Sequence, residues 1–169
     1  MGLPSKLRMM NTFLDGVSYA GETAEVTLPK IAMKTEDWRA GGMTGPVPID
    51  MGLDKIEVEF SAGGLLLAPI RQFGAARHDA AMIRWAGSYR SDSNGRVSAV
   101  EIVARGRYAE LDLGKAKVGD DTEQKFKMAA SYYKLTVDGE ELLEIDMVSG
   151  IFVSGGIDRN AELRAAIGL

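Results

Sequence analysis

The sequence predicts a mainly β fold: an antiparallel sandwich or barrel-like core in one domain spanning residues 1–169, with a flanking α-helix and a short C-terminal helix. Three observations carry this. Apolar residues recur with a period of two along most of the chain. Asp15-Gly16, Asn94-Gly95 and Asp138-Gly139 each stand between alternating runs, the strongest short-range hairpin signal. Glycine supplies 20 of 169 residues, well above the ordinary share of about 7%. With no collagen period and no Gly/Ser tract, the excess belongs to tight turns.

The elements follow in order. In residues 22–28, Ala24, Val26 and Leu28 alternate with Thr23, Glu25 and Thr27. Pro29 interrupts, and then Ile31 and Met33 alternate with Lys34 and Glu36. Residues 55–60 give the cleanest pattern: Ile56, Val58 and Phe60 on one face, Lys55, Glu57 and Glu59 on the other. Ile83, Trp85 and Tyr89 oppose Arg84, Ser88 and Arg90. Val100, Ile102 and Tyr108 oppose Glu101, Arg105 and Arg107. Leu143, Ile145 and Met147 oppose Glu144 and Asp146. Such alternation means strands with one face buried and one polar. Phe126, Met128, Ala130 and Tyr132 share a face, yet Tyr133, Leu135 and Val137 share the other. A bulge, or a strand leaving one sheet for another, accounts for a switch at Tyr132-Tyr133.

Two helices are expected. One lies within residues 65–73, between Gly63-Gly64 and Gly74, with Pro69 confined to its first turn or bending it. The other spans residues 158–167, with Asp158 as N-cap and Gly168 as stop. Residues 39–50 contain Gly41, Gly42, Gly45, Pro46 and Pro48, and read as an extended loop or hairpin arm.

Charge and composition exclude several classes. The net charge is -4 with acids and bases interspersed, so no basic groove for nucleic acid is expected. There are no cysteines, which removes disulfides, thiolate metal sites and a thiol nucleophile. No apolar run approaches a membrane span, and no secretory h-region is visible, so synthesis in the cytoplasm is expected.

No signature of catalysis stands at a fixed spacing, and no catalytic, cofactor-binding or metal-ligating set is assigned. His78, between Arg77 and Asp79, reads as a solvated loop residue. Asp120, Asp121 and Glu123 lack EF-hand spacing and read as a hairpin tip. Glu57 and Glu59 share a strand face, but with Lys55 beside them they read as a water-facing stripe. A small ligand-binding β-barrel fits the same alternation and turns, and is the alternative to a structural role.

Several segments follow one another in a recognisable series: NTFLDGV at 11–17, LPK at 28–30, KTEDWRAGGM at 34–43, PIDMG at 48–52, SYYKLTVDGEELLEID at 131–146 and GIDRNAELRAAIGL at 156–169. The series resembles the major tail tube proteins of contractile-tailed phages and R-type pyocins. Between residues 75 and 123 only the strand pattern supports the likeness. The resemblance implies a structural, non-enzymatic subunit. Its copies form hexameric rings that stack into a hollow tube within a contractile sheath, and contraction drives the tube through a target envelope. Implied partners are further copies, the tail sheath protein, and the baseplate and tape measure proteins. DNA enters only as lumen cargo, and the implied location is a virion tail or tailocin assembled in bacterial cytoplasm. Within this picture, Trp38, Arg39, Gly41, Gly42, Met43, Pro46 and Asp50 are expected at the contact between rings. Lys55, Glu57 and Glu59 are expected to face the lumen.

Overall fold

The computed structural model describes residues 2–169. Its strands are β1 (Ser5–Leu14), β2 (Val17–Ser18), β3 (Thr23–Thr27), β4 (Met33–Trp38), β5 (Val47–Leu53), β6 (Ile56–Ala62), β7 (Ala81–Ser91), β8 (Val97–Asp112), β9 (Gln124–Val137), β10 (Glu140–Asp146), β11 (Ile151–Ser154) and β12 (Ile157–Asp158). Helix α1 is Leu67–Gln72 and α2 is Ala161–Ala166. Ten strands make one antiparallel sheet, in the order β12-β11-β10-β9-β8-β7-β1-β2, with β6 and β3 branching from β9. Strands β4 and β5 form a separate two-stranded sheet.

The branch explains the face switch seen in the sequence. One edge of β9 runs along β8 for its whole length, while the other carries β6 up to Ala130 and β10 from Tyr132 onward. At the fork, Arg105 of β8 pairs with Tyr132 and Gly106 with Ala130. Ser131 is left over as a bulge, one residue before the expected switch. The extra residue inverts the alternation, so Phe126 and Met128 are buried before it and Tyr133 after it. The Met147 N–H donates to the Ser131 carbonyl at 2.9 Å, and the Ser131 hydroxyl lies 2.7 Å from Nδ1 of His78.

Each side of the fork has its own core. On one side, Val58, Phe60, Ile83, Tyr108, Phe126 and Met128 pack with Leu66 from beside α1. Phe60 lies 5.2 Å from Phe126 and meets Tyr108 edge-on. Burial pushes the Tyr108 phenol far up, so it stays neutral. On the other side, Ile56, Trp85, Ile102, Tyr133 and Ile145 pack together, and the Trp85 indole N–H donates to the Met10 sulfur at 3.4 Å. Full burial of each large side chain stabilises the fold by about 1.5–3 kcal/mol.

Turn chemistry sets the hairpins. Asp15 and Gly16 have φ of 48° and 84°, and Asp138 and Gly139 have 50° and 82°. Two successive left-handed residues are what a two-residue type I′ turn needs. The Asn94-Gly95 connection is a longer loop in which only Gly95, at φ 73°, is left-handed. Pro69 lies in the first turn of α1, where its missing N–H costs nothing. Asp158 does not cap the last helix. The chain enters α2 at Asn160, while the Asp158 carboxylate accepts the Asn160 N–H at 3.1 Å and pairs with Arg164. The Asp158 carboxyl is therefore held below the usual carboxylate range, first by Arg164 and then by that N–H.

Candidate assembly surface

The β4–β5 hairpin stands apart from the main sheet. Its rungs are Trp38 with Val47, Asp37 with Pro48, Glu36 with Ile49 and Thr35 with Asp50. Opposed residues share a face, so Trp38, Val47 and Ile49 line one side together, and Met51 continues the alternation. All four are exposed, Trp38 at 61% and Met51 at 52%. A protein of this size normally keeps such side chains inside or covered by a partner. The hairpin base is held by an Asp54 N–H to Ala32 carbonyl bond of 2.9 Å. It borders a cleft of about 150 Å³ shared with Met147, Phe152 and Asn160.

The residues expected at a ring contact divide between tip and base. Trp38 ends β4, and Arg39 opens the connecting loop. Gly41 and Gly42 form a turn closed by the Met43 N–H to the Ala40 carbonyl at 3.2 Å, with Gly42 at φ 86°. Pro46 directly precedes β5. Asp50 lies on β5 near the base, where its carboxylate accepts the Gly52 N–H at 2.8 Å. Sequence reasoning left Val47, Ile49 and Met51 unassigned, although VPIDM is itself an alternating run. The prolines and glycines around it masked the strand.

Lys55, Glu57 and Glu59 border a recess of about 340 Å³, together with Lys30, Asp54 and Lys127. Three bases face three acids there. Glu57 lies 3.2 Å from Lys55 and 3.7 Å from Lys127. The Lys55 hydrogen bond comes first among the causes that hold the Glu57 carboxyl below its usual range. Neighbours Ile56, Val58 and Phe60 are buried. His78 is exposed and contacts Ser131. Asp120 and Asp121 lie in the exposed β8–β9 connection, where Asp120 pairs with Lys117 at 3.5 Å. Among the described residues, no group of three His, Asp or Glu side chains is placed to hold a metal ion. No helix among them is long and apolar enough to cross a membrane.

Together the branched antiparallel sheet and the projecting, half-apolar hairpin define a class: a β building block with surfaces shaped for other protein surfaces. The particular family is shown by comparison. The chain belongs to the phage tail tube protein FII family, which it matches over residues 4–168. It is 46% identical to the tail tube protein of Escherichia phage P2 over 172 aligned positions, with both chains fully covered. It is 39% identical to the major tail tube protein of Serratia phage KSP20, covering 92% of this chain and 91% of that one. Among solved structures, it is similar to a chain from the anti-feeding prophage tube-terminating cap, with a TM-score of 0.58 and 14% identity over 80% of this chain and 93% of that one. A chain from the extended sheath–tube complex of the PVC extracellular contractile injection system gives a TM-score of 0.57 at 11% identity, covering 79% and 90%. At such identities the structural likeness is one of fold.

Proposed function

We propose that this protein is the inner-tube subunit of a contractile tail, with six copies closing into a ring and rings stacking into a hollow tube inside the sheath. Family membership supports the tube role. The observation that carries the assembly reading is the β4–β5 hairpin, which pairs with no strand of its own main sheet and exposes Trp38, Val47, Ile49 and Met51. Fixing a glycine-rich loop costs about 1–2 kcal/mol of backbone entropy per residue, and burying the apolar stripe between rings offsets that cost. The hairpin, with Trp38, Arg39, Gly41, Gly42, Met43, Pro46 and Asp50, is the joint between rings.

The face carrying Lys55, Glu57 and Glu59 lines the lumen. Its balanced charge suits a passage that must not hold phosphate tightly, because each lysine or arginine contact adds a salt-dependent affinity term. The work is geometric and needs no catalytic step. The remaining partners are the sheath, baseplate and tape measure proteins, with DNA only as cargo. The subunit is made in the host cytoplasm and ends in the tail particle.

Electron microscopy of concentrated protein tests the joint. The intact chain should give rods, whereas deletion of residues 40–45 should leave folded monomers or single rings. Full-length rods from the deletion variant would overturn the assignment of the hairpin.

A further inference from the structure

The hairpin's apolar stripe needs a seat on another surface. The recess there is lined by Trp38, Ile49 and Met51 with Glu36 and Asp37, and of the two acids Glu36, opposite Ile49, shares the apolar face. Its complement must therefore be apolar and locally basic.

Large apolar side chains are also exposed in several other regions, among them the start of β1, the surroundings of α2 and the rim of α1. At the N-terminal end of β1, Leu7 pairs with Tyr89 and Met9 with Ser88 across a register shift. These partners are consecutive and point to opposite faces, so Leu7 and Met9 form no single patch. Around α2, Leu163 and Ile167 are exposed, but Glu162 lies beside them and Arg164 is engaged by Asp158.

The third region is the rim of α1. Leu67 and Arg71 stand four residues apart and face outward together, with exposed Leu65 and Phe73 at the two ends. Residues 60–78 contain no acid. Arg77 is taken by Asp79 at 3.0 Å, while among the described residues Arg71 enters no ion pair. The helix is also anchored. Leu66 and Pro69 are buried, the Leu66 N–H donates to Gln124 at 3.3 Å, and the Gln72 side chain donates to the Asp15 carboxylate. An anchored rim loses little entropy on binding.

We infer that the apolar face of β4–β5 seats on the α1 rim of a second copy, with Glu36, which shares that face with Ile49, against that copy's Arg71. This rests on the hairpin being the inter-ring joint and names its receiving surface. Trp38, Ile49 and Met51 then cover Leu65, Leu67 and Phe73, and a base with no ion pair in the isolated chain gains an acidic partner.

The absence of cysteine makes disulfide trapping free of background. Tubes of an Ile49→Cys/Leu67→Cys chain, mildly oxidised, should give a ladder of covalent multimers on a non-reducing gel. Each single variant, and the Ile49→Cys/Leu163→Cys pair, should give none. Independently, Arg71→Glu should raise the concentration needed for rod formation about tenfold or more, with rings still forming, and Glu36→Lys in the same chain should restore it. Rods of the first pair that do not cross-link, or cross-linking through Leu163, overturn the seat. If the cysteine chains fail to assemble, the charge variants decide: normal rods from Arg71→Glu overturn the seat. Rods that survive deletion of residues 40–45 overturn the joint itself. Rods lost on deletion but never cross-linked through Leu67 overturn only its receiving surface.

Discussion

Replacing Gly106 with alanine should destabilise the fold more than any other single methyl addition on β8. A Cβ built at this position lies 2.0 Å from the Ala129 carbonyl oxygen, 2.7 Å from its carbon and 2.8 Å from the Ala130 Cα. All three atoms are backbone, so no side-chain rotation relieves the overlap. Ordinary contact begins near 3.4 Å, and β8 and β9 must separate by more than 1 Å at the rung beside the bulge. Overpacking of this kind costs about 1–3 kcal/mol. Two weakened ladder bonds add about 1 kcal/mol each. A total of about 3–5 kcal/mol is a large part of the 5–15 kcal/mol that typically holds a domain together. Urea unfolding followed by circular dichroism, at concentrations below assembly, measures it against Gly45→Ala, where a Cβ meets nothing within 4 Å. The control should stay within about 0.5 kcal/mol. A Gly106→Ala loss below about 1 kcal/mol would refute the claim that the bulge brings the two backbones into contact.

Other outcomes follow from the same contacts. Trp85→Ala, at a fully buried site, should cost about 3–5 kcal/mol in the same unfolding assay. Glu57→Gln should change stability by less than about 1 kcal/mol, because its Lys55 partner is 82% exposed. Glu57→Gln and Glu59→Gln should both still build rods by microscopy, and loss of rods would show that this face meets protein and not lumen water. The low-held Asp158 carboxyl stabilises the C-terminal segment fully above its unfolded value near 4, and that contribution disappears as pH falls through the folded value. Hydrogen exchange in residues 158–169 should therefore show local opening rising below about pH 4 beyond the intrinsic acid trend, and Asp158→Asn should remove that pH dependence.

How much was legible in the sequence depended on whether one physical signal dominated locally. Ile56, Val58 and Phe60 are buried on a face opposite Glu57 and Glu59, and there the period of two located β6 and its orientation. The Asp-Gly pairs located two turns because their left-handed geometry is a property of two residues alone. Strand β1 was not legible as a strand, because SKLRM is exposed and its partner β7 lies about 70–85 residues away. Strand β5 was hidden by Pro48 and Gly52, so its first residues, 47–50, fell inside the extended loop or hairpin arm of residues 39–50, whose larger part, residues 39–46, is the connection between β4 and β5. The cap of α2 was misplaced because Asp158 has a stronger competing partner in Arg164, visible only once the chain folds back. The likeness to tail tube proteins identified the family, but the apolar stripe on β5 emerged only from the register of β4 and β5.

The forked strand β9 also has a mechanical meaning. Both branches of the sheet are grafted onto one continuous backbone, bonded on its other edge along β8. A push that slides one branch past the other along that strand loads many ladder bonds at once, in shear, and none can yield without its neighbours. Antiparallel bonds run perpendicular to the strands, so only a pull across the strands would open them one by one, like a zip. The subunit is stiff along β9 and weak across it. Its resistance to thrust therefore depends on how that strand is tilted to the direction of travel.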